Sequence, residues 1–74
     1  MGVSTNMRIN ILVNGDPRTA PEGQTILGLL RHLELDPARV AVELDRRLVK
    51  QPLWAGTVLT TGAQLEIVQF VGGG

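Results

Sequence analysis

The stretch TILGLLRHLELDPARVAVEL, residues 25–44, carries the helical period of the chain and, directly after it, a period of two. Ile26, Leu29, Leu30 and Leu33 recur at i, i+3, i+4 and i+7, which lays one apolar stripe along a helix. Thr25 stands at the N-cap, its hydroxyl placed to accept from the first free backbone N–H groups. Asp36-Pro37 ends the helix, since the residue before a proline is pushed out of the α region. Gly28 weakens the first turn and is read as allowing a close approach to a sheet. Val40–Leu44 then alternates as a strand, with Val40, Val42 and Leu44 on one face.

Working outward toward the N-terminus, MRINILV (residues 7–13) alternates as a strand, with Ile9, Ile11 and Val13 on one face. Asn14-Gly15 follows, the strongest short hairpin signal, because both residues tolerate positive φ. A short return strand is expected over Arg18–Ala20, limited by Pro17 and Pro21. Toward the C-terminus, Asp45–Arg47 reads as a turn and Arg47–Lys50 as a brief strand. Gln51–Thr61 is irregular, with Pro52, Leu53 and Trp54 expected to anchor a loop over the core. Gly62 turns the chain into a last strand, Gln64–Val71. The order strand, strand, helix, strand, short strand, strand predicts an α+β fold, a mixed sheet of about four to five strands packed on one main helix.

Seventy-four residues make one small domain, near the lower limit for a chain that folds alone. There is no cysteine, which removes disulfides, thiolate metal sites and thiol chemistry, and the single histidine, His32, cannot build an imidazole metal site. His32 falls away from the apolar stripe and is assigned no role. Seven basic residues balance seven acidic ones, so the positive excess typical of nucleic-acid binding is lacking. No apolar run approaches the roughly eighteen residues of a membrane span. Residues 1–6 are too short and polar for a signal peptide and read as a flexible extension, with Met7 a natural start. The expectation is a cytoplasmic protein with residues 7–71 as its domain and 72–74 as a flexible glycine tail.

Catalytic machinery is hard to assemble from these residues. Ser4 and His32 have no orienting partners, and Glu43 with Asp45, or Glu34 with Asp36, read as solvated surface charges. No catalytic or metal-ligating residue is assigned. Arg39, Arg46, Arg47 and Lys50 form the one local charge excess. It is either a hydrated edge that discourages sheet-to-sheet pairing or a docking patch for an acidic partner.

The ending VQFVGGG (residues 68–74) is more informative. Glycine loses the most backbone freedom on ordering, so Gly72, Gly73 and Gly74 are either an idle end or a segment that another protein grips. Three residues reach about 10 Å at 3.3–3.6 Å each, and without Cβ atoms they pass through a narrow channel. The one reactive group such a tail offers is the Gly74 carboxylate. In the strand before it, Leu65 and Ile67 pointing to the core would leave Val68 and Phe70 exposed as an apolar docking surface beside the tail. A bulge turning Phe70 inward is the alternative.

VQFVGGG after GAQLEI, with VAVELD and Leu53-Trp54 upstream and INILVNG near the start, closely resembles the sulfur carriers of thiamin biosynthesis, the ThiS family. The resemblance covers about residues 7–74. It implies the ubiquitin-like β-grasp fold. It further implies that an E1-like adenylating enzyme uses ATP and magnesium to activate the Gly74 carboxylate. A sulfur donor, a cysteine desulfurase or sulfide, would then leave a thiocarboxylate on Gly74. Thiazole synthase would take that sulfur into the thiazole ring. Gly72 and Gly73 would enter the partners' channels, and Val68, Phe70, Arg46 and Arg47 would form the docking surface. Members of the family often carry Asn where Asp45 stands and Gly-Asp where Gly62-Ala63 stands, both turn positions. Two alternatives share the fold: the small sulfur-carrier subunit of molybdopterin synthase, and a ubiquitin-like binding module that never reacts.

Overall fold

The computed structural model describes residues 7–71. β1 (Arg8–Val13) and β2 (Asp16–Pro21) form an antiparallel hairpin. Its two turn residues, Asn14 and Gly15, have φ of 52° and 83°, the left-handed pair that matches the twist of the flanking strands. β2 is twice as long as Arg18–Ala20, and both prolines lie inside it, opposite Leu12 and Arg8. Val13 pairs with Asp16 at the turn, and the Glu22 N–H bonds the Met7 carbonyl at 3.0 Å. Residues 16, 18, 20 and 22 therefore face β1 with their backbone polar groups, and the prolines fall between them. On an edge strand the missing N–H of such a proline points outward and costs the ladder nothing.

The one α-helix among the described residues, α1 (Ile26–His32), starts where Thr25 caps it, the Gly28 N–H donating to Thr25 Oγ1 at 3.0 Å. The other free N–H groups of the first turn are met from a distant loop: Ile26 donates to the Thr57 carbonyl at 3.1 Å and Leu27 to that of Trp54 at 3.2 Å. A buried helix start needs such partners. The helix stops short of Asp36-Pro37. Glu34 turns into the left-handed region at φ 61°, its N–H donates to Arg31 at 3.0 Å, and the Leu35 N–H reaches back to the Leu30 carbonyl at 2.9 Å. These paired bonds are the Schellman ending, here made without its usual glycine. Gly28 does not serve the sheet. A Cβ there would meet the Gln24 side chain and the Thr25 hydroxyl.

β3 (Val40–Leu44), β4 (Arg47–Val49) and β5 (Gln64–Gln69) complete a five-stranded sheet of order β2-β1-β5-β3-β4. β1 and β5 run parallel and the other neighbours antiparallel, so the sheet is mixed. The core lies on one face. Ile26, Leu29 and Leu30 of α1 bury against Ile9, Ile11 and Val13, Val40 and Val42, and Leu65 and Ile67 of the strands. The loop over this core is anchored by Trp54 and Leu59; Pro52 and Leu53 are exposed. Trp54 is fixed twice, by burial and by its indole N–H donating to the Val49 carbonyl at 2.8 Å. Leu59 is buried with its N–H on the Gln24 carbonyl at 2.8 Å. β5 ends at Gln69, two residues short of Val71, because its partner β3 begins at Val40, opposite Gln69. Among the described residues, no helix is long and apolar enough to cross a membrane.

Glu34 at φ 61° carries a steric cost that glycine would not. Glu34→Gly should stabilise the fold by about 0.5–1 kcal/mol. The expected readout is a higher denaturant midpoint at unchanged slope; a lower midpoint would show that the Glu34 side chain contributes more than its backbone costs.

Candidate functional site

β5 is the strand that leads to the C-terminal glycines, and it is held unequally along its length. On the β3 side it is paired throughout, from Leu44 opposite Leu65 to Val40 opposite Gln69. Toward β1 only Leu12 opposite Gln64 and Val13 opposite Leu65 are in register, with the Leu12 N–H on the Ala63 carbonyl at 2.9 Å. At Asn14 the chain of β1 turns away, and the side chain takes over. The Asn14 backbone N–H donates to the Leu65 carbonyl at 2.8 Å. Its side-chain Nδ2 donates to the Ile67 carbonyl at 3.1 Å, while Oδ1 accepts from the Ile67 N–H at 2.7 Å. A residue read from sequence as a turn former is thus also a brace for the exit strand. No local pattern signals this, since its partner lies 53 residues away.

At the start of β5 a second side chain plays a similar part. Asp45 (φ 51°) and Arg46 (φ 71°) form the β3–β4 turn. The Asp45 N–H donates to the Gln64 carbonyl at 2.8 Å, and its carboxylate accepts from the Gln64 N–H at 3.0 Å. Asp45 therefore does here what a short amide side chain would do through its oxygen.

The alternation of β5 puts Leu65 and Ile67 into the core and Gln64, Glu66 and Val68 on the face that bears no helix. Val68 is 59% exposed and Phe70 56%, so no bulge turns Phe70 inward. The last tie to the sheet is the Phe70 N–H on the Arg39 carbonyl at 2.8 Å; Val71 beyond it is 92% exposed. The proposed sulfur-bearing Gly74 and the channel residues Gly72 and Gly73 lie outside the described residues, as do residues 1–6.

Arg46 and Arg47 do not share this surface. β3 and β5 are antiparallel, so the turn that carries the two arginines sits beside Leu65, at the opposite end of β5 from Phe70. Five residues at about 3.3 Å each separate these ends by roughly 16 Å. The basic group splits for the same reason: Arg39 lies at the exit end, where it meets Asp36 at 3.6 Å, an exposed pair of small energetic worth. The docking surface drawn from sequence is thus two surfaces, and Val68 with Phe70 is the one beside the exit.

Two hollows flank the strand. The larger, about 660 Å³, lies at the far end against Leu12, Pro17, Thr19, Gly62 and Gln64, away from the chain exit. The smaller, about 250 Å³, sits on the helix side between Asn14, Leu35 and Gln69. His32 is exposed, and among the described residues no three carboxylate, imidazole or thiol groups come together.

A five-stranded mixed sheet grasping one helix, with its central strand running out to the C-terminal glycines, defines a ubiquitin-like carrier architecture. The sequence profile of the ThiS family matches residues 11–74, and the chain belongs to that family, the sulfur carriers of thiamin biosynthesis. The crystal structure of thiamine biosynthesis protein ThiS from Geobacter metallireducens superposes with a TM-score of 0.77 at 30% identity, covering 89% of this chain and all of that one. The fold is therefore the ubiquitin-like β-grasp. The sulfur carrier protein ThiS of Escherichia coli is 29% identical over 66 residues, 89% of this chain and its own full length. A thiazole synthase of Magnetococcus marinus is 39% identical over 66 residues, again 89% of this chain; the chain spans about a fifth of that protein, 20% of its length.

Asn14→Gly separates the two roles of Asn14. Glycine tolerates φ 52°, so a turn former alone would be replaced at little cost. Loss of the brace leaves the Ile67 N–H and carbonyl without their partners, and destabilisation of about 1–3 kcal/mol is expected. Hydrogen exchange at the Ile67 amide that speeds up more than at the β1–β2 amides, which follow the loss of global stability, is the signature to look for; an Ile67 amide that changes no more than they do would show that the turn is all that matters.

Proposed function

We propose that this chain is a cytoplasmic sulfur carrier whose C-terminal carboxylate, on Gly74, is the group that reacts. The observation that carries this reading is the exit of β5: a strand braced on both sides delivers the chain, at an exposed apolar rim, to three residues that have no side chains. The protein itself supplies a handle and catalyses nothing. A carboxylate is a poor electrophile, so an E1-like adenylating enzyme, using ATP and magnesium, must first give it a leaving group. A Gly74 oxygen attacks the α-phosphorus of ATP, pyrophosphate departs, and an acyl-adenylate remains. Sulfide then adds to the acyl carbon and AMP leaves, which yields the thiocarboxylate. Where the sulfur comes as a persulfide on a cysteine desulfurase, a thiol must reduce the S–S bond after transfer. The carrier holds the group while larger enzymes do the chemistry.

Thiazole synthase is the acceptor this reading favours. The thiazole synthase of Magnetococcus marinus contains, within one polypeptide, a stretch similar to this chain. Covalent linkage of two modules is an arrangement suited to partners that must meet, because it replaces diffusion by a high effective concentration. That relationship also weighs against molybdopterin synthase as the acceptor.

Incubation with the adenylating enzyme of the same organism, ATP, magnesium and sulfide should add the mass of sulfur minus oxygen to the intact protein. Deletion of Gly74 should abolish the gain. A wild-type protein that stays unchanged and releases no AMP would sink the carrier reading. Phe70→Ala, at an exposed position, should leave the unfolding free energy within about 0.5 kcal/mol of wild type while lowering kcat/KM for adenylation several-fold. Equal kcat/KM for the two proteins would remove Phe70 from the docking surface.

A further inference from the structure

The helix-free face of the sheet places two carboxylates side by side. Glu43 of β3 and Glu66 of β5 are directly opposite in register, and both are exposed. Like charges at such a cross-strand pair, with Cβ atoms about 4.5–5.5 Å apart, destabilise a sheet. Among the described residues neither carboxylate takes part in an ion pair. Around them the same face carries Gln64 on the near side and apolar groups on the others. Leu48, 64% exposed, stands opposite Glu43, and the next pair toward the exit is Ala41 with Val68. Phe70 follows. Two acidic groups thus sit beside the exposed apolar side chains of Leu48, Val68 and Phe70, on the face that no other described element covers.

We infer that the Glu43–Glu66 pair is a recognition point for a basic side chain, arginine or lysine, presented among apolar groups by the adenylating enzyme that takes up the tail. The inference rests on the carrier reading and adds the chemistry of the partner's surface. A tail of three residues spans about 10 Å, so an enzyme that reaches the Gly74 carboxylate must lie against the exit end of the sheet. Glu66 stands four residues back from Phe70, about 13 Å along β5, so the pair is met by an interface that extends down the open face from the exit past Val68. Covering the apolar groups would also desolvate the two carboxylates, and a desolvated carboxylate without a cation is strongly unfavourable. A single cation placed between them attracts both carboxylates and offsets their mutual repulsion, which in the free protein only solvent screens.

Charge reversal on one side separates the roles. Glu66→Lys sets an ion pair across the strands, opposite Glu43, so the thermal midpoint should rise. The same change should raise KM for the carrier about ten-fold in adenylation by the enzyme of the same organism, with kcat within about two-fold, as expected for lost uniform binding. Glu43→Gln combined with Glu66→Gln should raise KM less and flatten its dependence on salt. Binding of the unmodified protein to the same enzyme, measured without ATP, completes the set. A wild-type protein that reacts while Glu66→Lys and the double Gln variant keep its KM overturns this inference and leaves the carrier reading standing. One that neither binds nor reacts overturns both. If Glu66→Lys lowers the thermal midpoint, the double Gln variant, which introduces no new charge, decides by its KM alone.

Discussion

The amide of Asn14 against the backbone of Ile67 is the interaction on which the arrangement of this molecule depends. The sheet consists of two hairpins, β1–β2 and β3–β4, and β5 is the strand that joins them. Its contact with the first hairpin is short, two residues in register, while its contact with the second runs for five. Without Asn14, β5 past Leu65 would be an edge on one side, with the N–H and carbonyl of Ile67 facing the end of a strand that has already turned away. Hydrogen bonds to groups as partly buried as these matter chiefly because leaving them unmade is costly. The side chain extends β1 by one rung without extending its backbone. Helix packing then follows, since Ile67 can bury under α1 only where its backbone is fixed.

The local features of this fold were legible in the sequence for physical reasons that are themselves local. A Thr N-cap, a stripe at i, i+3, i+4 and i+7, an Asn-Gly turn and the alternation of Val40–Leu44 each depend on a few adjacent residues, and each stands where the pattern put it. Exposure of Val68 and Phe70 followed from the same alternation. What escaped depends on register. Pro17 and Pro21 look like strand breakers until β2 is known to be an edge whose proline nitrogens face outward. Arg46 and Arg47 look adjacent to the tail until the antiparallel pairing of β3 with β5 moves them to its far end. Leu59 is indistinguishable from Leu53 by sequence. One is buried and the other exposed because only Leu59 lies beside Gln24, where the loop crosses the start of α1. The proposal for Gly74 rests on composition and resemblance, and the fold bears on it only through the direction in which β5 leaves.

The two faces of the sheet obey different constraints. The helix face is closed: it holds the buried side chains, and its polar groups are matched from Thr25 to the Trp54–Thr57 loop. The open face departs from what stability alone would select. Glu43 faces Glu66, where an opposite charge would stabilise, and Leu48, Val68 and Phe70 stay in water, where polar groups would be neutral. A small domain has little stability to spare. Departures of this kind, gathered on one face and running from beside Leu65 to the exit of the chain, fit a surface shaped by what binds it.

The position of β5 gives those departures their meaning. A carrier whose reactive group lies at the chain end must present that end in a fixed direction, or the enzyme that receives it bears the whole cost of orienting it. A terminal strand at a sheet edge would fray, because half of its backbone groups face solvent. Here the terminal strand is central, tied to β3 up to Gln69 and to the Arg39 carbonyl by Phe70, and braced from the other side by Asn14. The side chains that ring the exit are held by the same bonds. On the proposed reading, the docking surface and the point of departure are then held by one set of bonds, so an enzyme that bound Val68, Phe70 and the acidic pair would also fix where the chain leaves the sheet.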